Sequence, residues 1–154
     1  MYFGRLNTGN MKIRGVMARK GDTPEYVTKM QQEVFEVLAE ARSLEDLRRI
    51  EPRAREIYRR YMDELDGADV KELAIHRRVS RLNYSRRCAE ASAVQGHMKQ
   101  GIPLAPGMEI GYVIRDARKW DVDPERASKF DSVYYRGLLE KAWGEAAFVF
   151  SCRQ

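Results

Sequence analysis

The chain has 154 residues, enough for one domain, of which 44% are hydrophobic and 33% charged, and its net charge is +5. No apolar run approaches the roughly 20 residues that a membrane-spanning helix needs, and the N-terminus lacks the pattern of a signal peptide, so we expect a cytoplasmic protein. Two cysteines and two histidines match no metal-binding or redox spacing, which argues against a metal site.

The positive charge is concentrated in two segments. Residues 1–22 carry a net charge of +4 and residues 73–103 of +5, whereas residues 23–72 carry −4 and the remainder is neutral. Two basic segments on either side of an acidic one are expected where the basic segments converge on a polyanion. The sequence therefore favours a nucleic acid as a partner.

The first 18 residues predict a β-hairpin. Short strand-like segments flank Asn7-Thr8-Gly9-Asn10, which is a strong turn signal. A lone hairpin is only marginally stable in water. We therefore expect it either to fold onto the rest of this chain or to add strands to the sheet of another protein.

Two helices follow the hairpin. Asp22 or Thr23 is expected to cap the first, with Pro24 at its first helical position. Ser43 opens the second, and Pro52 is expected to break or restart it. Apolar residues recur at helical spacing in both, which predicts an antiparallel helix pair packed on a core. These residues are Val27, Met30, Val34, Val37, Ala41, Leu47, Ile50, Ala54, Ile57, Tyr61 and Leu65.

Short strands and further helices are predicted for the rest of the chain. Residues 73–80 predict a short extended segment, residues 89–100 a helix rich in small residues, and residues 108–115 a strand. Asp123-Pro124 marks a break in the pattern, and a closing helix is expected from Asp131. The predicted fold class is therefore α+β, mostly α with small β elements.

Five arginines lie within eleven residues, from Arg77 to Arg87, with no acidic residue among them. The planar fork of arginine suits phosphate, and the serine, asparagine and tyrosine side chains between the arginines can hydrogen-bond a sugar–phosphate backbone. We interpret the run as a phosphate-binding surface. The alternative is a solvated basic face that binds nothing, which is common among such runs.

Five short motifs resemble, in order, the C-terminal part of archaeal family B DNA polymerases. Residues 2–15 (YFGRL through KIRG) are similar to the last palm hairpin, beginning at the tyrosine of the family's Lys-Lys-x-Tyr motif, and residues 18–24 (ARKGDTP) resemble the palm-to-thumb junction. Residues 73–81 (LAIHRRVSR), 106–114 (PGMEIGYVI) and 130–135 (FDSVYY) resemble thumb segments. Each motif alone is weak evidence, but five motifs in the right order are strong evidence, and the resemblance covers nearly the whole chain.

The resemblance implies a palm-derived hairpin at residues 1–22 and a thumb domain at residues 23–154. The family has a lysine at the position of Ser85, and the resemblance implies that Arg86 or Arg87 supplies its charge in this chain. The positions that the resemblance assigns to nucleic-acid contacts are Tyr2, Lys20, Arg77, Arg78, Ser80, Arg81, Tyr84, Arg86 and Arg87. Those that it assigns to a partner chain are Tyr2, Phe3, Leu6, Ile13 and Val16.

The family's catalytic aspartate motifs, nucleotide-binding helix and proofreading exonuclease have no counterpart in this sequence. Phosphoryl transfer needs carboxylates that hold Mg²⁺, and Asp121 and Asp123 are expected in a solvated loop. The resemblance therefore implies Mg²⁺ in the active site of a large catalytic partner subunit and no cofactor in this chain. Our hypothesis is a non-catalytic small subunit of a split polymerase that binds double-stranded primer–template DNA.

Two alternatives stay open. The chain could be a thumb-derived accessory or scaffold protein, paired with an inactivated polymerase-like partner or binding nucleic acid alone. The lack of the two lysines before Tyr2 and of the family's basic tail with its sliding-clamp motif favours this alternative slightly. The sequence could also be a piece of one longer polymerase.

Overall fold

The computed structural model describes residues 2–124 and 127–151. Helices account for 52% of the chain and strands for 15%, which confirms the predicted α+β class. No described helix is long and apolar enough to cross a membrane. The helices are α1 Glu25–Leu38, α2 Leu44–Glu64, α3 Val70–Leu73, α4 Ala89–Lys99 and α5 Ser132–Ser151. The strands are β1 Tyr2–Arg5, β2 Met11–Arg14, β3 Ile75–Arg78, β4 Glu109–Asp116 and β5 Asp121–Pro124.

The predicted N-terminal hairpin is present and packs on its own chain. Strands β1 and β2 pair antiparallel, with Phe3 opposite Ile13, and the connecting turn places Gly9 at a φ of +86°. The ring of Phe3 contacts that of Phe35 in α1, with 4.7 Å between the centroids. Within the described residues this sheet has only two strands, so the outer edge of each strand keeps unpaired backbone groups.

Helices α1 and α2 form the predicted antiparallel pair. The Tyr26 hydroxyl donates to the carbonyl of Tyr61 (2.7 Å), so the start of α1 lies beside the end of α2. Arg53, in the first half of α2, donates to Glu40, just after the end of α1 (2.7 Å). Ser43 caps α2 as predicted, because its hydroxyl accepts from the N–H of Asp46 (3.1 Å).

The expected break at Pro52 is wrong, because α2 continues through this residue. Proline leaves the carbonyl of Arg48 without its intrahelical donor. However, Ile50 and Ala54 on the same helix are buried in the core. Tertiary packing of this apolar face outweighs the local preference.

The predicted start of α1 is also corrected. Pro24 is the N-cap, and Glu25 is the first helical residue. The N-cap forms no side-chain hydrogen bond, and the Thr23 hydroxyl donates instead to the carbonyl of Met17 (2.7 Å). Thr23 therefore stabilises the turn that precedes the helix.

The second sheet is antiparallel, with β4 between β3 and β5, and α4 packs against it. Tyr112 in β4 lies opposite Ile75 on one side and Pro124 on the other. The sequence predicts a break at Asp123-Pro124, whereas the structure places both residues in strand β5. The strand forms because β4 offers an open edge, and proline is tolerated in an edge strand.

The side chain of Gln31 is fully buried and connects three segments. Its Oε1 accepts from the N–H of Ala18 (2.7 Å), and its Nε2 donates to the carbonyl of Ala142 (2.9 Å) and to the carboxylate of Glu145 (2.8 Å). The same carboxylate accepts from the N–H of Met17 (2.8 Å). One amide therefore fixes α1, α5 and the turn after the hairpin.

We expect Pro52→Ala to stabilise the protein. The alanine N–H can donate to the carbonyl of Arg48, and proline costs about 3 kcal/mol relative to alanine inside a helix. Greater freedom of the unfolded chain offsets up to about 1 kcal/mol of this gain. Urea unfolding should show a gain of about 2 kcal/mol, against less than about 0.5 kcal/mol for the exposed control Arg59→Ala. A loss of stability would show that the packing of α2 needs proline here.

We expect Gln31→Leu to destabilise the protein by about 3 kcal/mol, because the N–H of Ala18 and the Glu145 carboxylate lose a buried partner. The neighbouring Gln32 is exposed, so Gln32→Leu should change the free energy of unfolding by less than about 0.5 kcal/mol. Urea unfolding of the two variants is the measurement. Equal effects would contradict a central role for Gln31.

Candidate nucleic-acid interface

Strand β3 separates the first two arginines of the run. Side chains alternate between the two faces of a strand, so Arg77 shares a face with the buried residues Ile75 and Val79. Arg78 points to the opposite face, where Glu109 lies across from it in β4. The side chains of Arg77 and Arg78 therefore extend from opposite faces of the sheet and do not form one continuous binding surface.

Arg77 lies between two carboxylates. Its guanidinium is 3.7 Å from Asp22, in the turn before α1, and 3.7 Å from Glu90, in the first turn of α4. The side chain is 49% exposed. Arg77 thus joins the segment before α1 to α4 through two partly exposed ion pairs.

Glu90 is a site residue that the sequence analysis missed. Its carboxylate accepts from the hydroxyls of Tyr84 (2.6 Å) and Ser80 (3.4 Å), in addition to its contact with Arg77. Burial and then the hydrogen bond from Tyr84 raise the pKa of the Tyr84 hydroxyl. The only signal in the sequence is that Glu90 is the single acidic residue of the basic segment 73–103.

Arg81 is held against Tyr84. Its guanidinium lies over the tyrosine ring, 5.5 Å from the centroid. A cation over an aromatic face is attracted by the ring electrons, and the guanidinium keeps its outer edge free to bind an anion. The structure therefore brings Ser80, Arg81 and Tyr84 together around Glu90.

A groove of about 630 Å³ lies between α4 and the turn that joins β4 to β5. We call it the cationic groove, since four of its lining residues are basic. Within residues 2–124 and 127–151, none of these four side chains pairs with a carboxylate. Asp121 also lines the groove, but its carboxylate binds Arg115 (2.8 Å). The groove is defined by Tyr84, Arg86, Arg87, Lys99, Lys119 and Trp120.

Several cations on helices α1 and α2, unlike those of the cationic groove, form ion pairs with carboxylates. Arg53 pairs with Glu40 (2.7 Å), and Arg55 pairs with Glu51 (2.8 Å). Further pairs join Arg60 to Glu33 and Lys29 to Glu72. The acidic segment thus neutralises much of its own positive charge, which leaves the cationic groove as a place where unpaired positive charge collects.

A cavity of about 310 Å³ lies beside this groove and contains the predicted residues Lys20 and Arg77. Tyr112 and Tyr134 form part of its wall. Burial raises the pKa of Tyr112 to about 12, although the nearby Arg77 acts in the opposite direction. Burial and then the charge of Asp22 raise the pKa of Tyr134. Both phenols are therefore neutral at physiological pH.

The predicted hairpin residues lie in the two-stranded sheet or next to it. Tyr2 pairs with Arg14, and the side chain of Tyr2 lies outside what the structure describes. Phe3 and Ile13 are half-buried against the core, whereas Leu6 is 45% exposed in the turn. Val16 is 1% exposed, so it is part of the core.

Asp121 and Asp123 lie in β5 and both contact Arg115, at 2.8 and 3.4 Å. A guanidinium therefore takes the place between them that a cation would need, and this pair does not suit Mg²⁺. In the part of the chain that the structure describes, no group of three His, Cys, Asp or Glu residues could hold a metal ion.

No protein-family model matches the chain. DNA polymerase 1 of Saccharolobus solfataricus is 25% identical over 149 residues, which cover 90% of this chain and 16% of that polymerase. The solved family B DNA polymerase from the hyperthermophilic archaeon Pyrobaculum calidifontis matches with a TM-score of 0.71 and 22% identity, over 99% of this chain and 20% of that one.

The chain thus spans a fifth or less of the length of these two polymerases. The structural match nevertheless extends over 99% of this chain, so it includes both the hairpin and the cationic groove. The two matches confirm the resemblance predicted from the motifs: in sequence and in fold, the chain is similar to part of an archaeal family B DNA polymerase.

Proposed function

We propose that this chain is the non-catalytic thumb subunit of a split family B DNA polymerase and that it binds primer–template duplex through backbone phosphates. The observation that carries the proposal is the segregation of charge. Arg86, Arg87, Lys99 and Lys119 lack carboxylate partners among the described residues and line one groove. The similarity to DNA polymerase 1 of Saccharolobus solfataricus makes DNA the expected polyanion.

Binding through phosphates does not depend on base sequence. Each cation that neutralises a phosphate releases counterions, so affinity falls by roughly 0.9 log unit per log unit of salt for each contact. Unpaired cations are suited to this role because they lose no internal ion pair on binding. Function then consists of holding the duplex in place, while another chain performs the chemistry.

The arginines of the run have different roles in this proposal. Arg81, Arg86 and Arg87 contact phosphate, since no carboxylate of the described residues pairs with them. Arg77 is instead a positioning residue, because Asp22 and Glu90 already surround its guanidinium. It keeps α4, and therefore the groove, at a fixed place relative to the segment before α1.

The hairpin completes the palm of a catalytic partner chain in our proposal. The unpaired outer edges of β1 and β2 can accept a strand from another chain, and such main-chain pairing is a recurrent way to join proteins. Phe3 and Ile13 hold the hairpin against α1. Val16 supports it from the core, so we remove Val16 from the predicted partner surface. The carboxylates that bind Mg²⁺ would belong to the partner.

Duplex binding can be tested by salt titration. We expect the double variant Arg86→Ala, Arg87→Ala to weaken binding to blunt duplex DNA equally for unrelated sequences, because two phosphate contacts are lost. The slope of log affinity against log salt, measured by fluorescence anisotropy, should become shallower by about 1.8. The matched control is Arg48→Ala, Arg59→Ala, which removes two exposed arginines from α2 and should leave the slope unchanged. Equal slopes for all three proteins would contradict phosphate binding in the groove.

Assembly can be tested with a family B chain that carries the catalytic aspartates and comes from the same genome. We expect the two chains to copurify and the mixture to extend a primer further per binding event than the catalytic chain alone. This chain alone should incorporate no nucleotide, because it lacks the aspartate motifs. Copurification only with a chain that has lost these carboxylates would favour the scaffold alternative, and incorporation by this chain alone would refute both.

A further inference from the structure

Trp120 adopts an unusual backbone conformation in the turn between β4 and β5. Its φ is +50°, and it is the only residue other than glycine with a positive φ in the described part of the chain. Bulky side chains rarely occupy this left-handed region, and such strain persists only where the surrounding structure enforces it. The conformation therefore calls for an explanation beyond the need for a turn.

The turn is held rigidly by two carboxylates. Asp116 accepts from the N–H groups of Arg118 (2.9 Å) and Lys119 (3.3 Å). Asp131, which precedes α5, accepts from the N–H of Ala117 (2.9 Å). The indole of Trp120 is therefore presented from a fixed backbone.

The Trp120 ring has no aromatic or cationic partner among the described residues, although it is half-buried at the wall of the cationic groove. The other tryptophan, Trp143, is stacked on Tyr58, with 5.1 Å between the centroids and 12° between the planes. Arg55 lies 5.5 Å from the centroid of Trp143. Trp143 thus packs against an aromatic ring and a guanidinium. Trp120 also lines the 310 Å³ cavity described above, but among the described residues its ring is stacked on no other ring and lies under no cation.

Single-stranded nucleic acids are bound by unpaired cations that follow the backbone, together with aromatic rings on which bases stack. The groove holds both, because Arg87, Lys99 and Lys119 line it together with Trp120. A base-paired duplex offers phosphates to the cations, but its bases are already stacked on one another. An unpaired base, unlike a base within a duplex, can stack on the indole of Trp120.

We propose that the wall of the cationic groove formed by Lys119 and Trp120 binds a short single-stranded segment of DNA that continues from the duplex held by Arg86 and Arg87, with one unpaired base stacked on Trp120. This inference rests on the proposed function in one respect, namely that the groove faces nucleic acid. It adds a site for the unpaired DNA that adjoins a duplex. It also gives Trp120 and Lys119 a binding role that the sequence analysis did not assign to them.

The two tryptophans allow a direct test in the full chain. In the variant Trp143→Phe, Trp120 is the only source of indole fluorescence, and we expect a short oligothymidylate to quench it in a saturable way. In the matched variant Trp120→Phe, only Trp143 fluoresces, and its emission should stay unchanged. Anisotropy with a labelled oligothymidylate should show that Trp120→Phe keeps most of the affinity, since phenylalanine also offers a ring.

Removal of the ring should weaken binding selectively. Loss of one base-stacking contact predicts about tenfold weaker binding of oligothymidylate to Trp120→Gly, and unchanged binding of blunt duplex. Glycine tolerates positive φ, so relief of the strain offsets part of the packing that is lost with the half-buried ring, and urea unfolding should show that this variant is fully folded under the binding conditions. Weak binding then cannot be attributed to unfolding.

Three results would overturn the inference. One is an unquenched Trp143→Phe variant at saturating oligothymidylate and low salt, while blunt duplex still binds; the proposed duplex function would then survive alone. Another is equal quenching by blunt duplex, and the third is full oligothymidylate affinity in Trp120→Gly. Failure of both oligothymidylate and duplex to bind the unmodified chain would overturn the proposed function as well.

Discussion

The buried amide of Gln31 is the constraint on which the rest of the structure depends. A buried polar group must be hydrogen-bonded. This amide accepts from the N–H of Ala18 in the turn after the hairpin, and it donates to the carbonyl of Ala142 and the carboxylate of Glu145, both in α5. Because Glu145 also binds the N–H of Met17, the turn has little freedom to move. The hairpin therefore enters the helical core at a fixed place, and the segment that follows it is fixed too.

A series of polar contacts leads from this turn to the candidate interface. Thr23 donates to the carbonyl of Met17, and the neighbouring Asp22 lies near Arg77, which contacts Glu90. Glu90 in turn accepts from Tyr84, at the edge of the cationic groove. A single acidic side chain thus orders several of the predicted contact residues without neutralising the cations of the groove.

The four long helices, α1, α2, α4 and α5, follow from the sequence because their signals are local, whereas the sequence does not predict the short helix α3. The cap at Ser43, the helical spacing of the apolar residues and the turn at Gly9 all act within a few residues, and the structure contains each of them. Pro52 was misjudged because packing against α1 offsets a local preference. Strand β5 was missed because four residues of mixed polarity carry no strand pattern and pair only where β4 supplies an edge.

By itself, the sequence determined the order of the elements, the resemblance to a polymerase family and the segments that carry positive charge, since all three follow from composition and local pattern. Only the tertiary structure decided which cations are available to a ligand. Arg77 and Arg86 look equivalent in the sequence, yet one lies between Asp22 and Glu90 and the other lines an open groove. Ion pairing depends on residues that folding brings together from distant positions, and no local pattern records which residues those are.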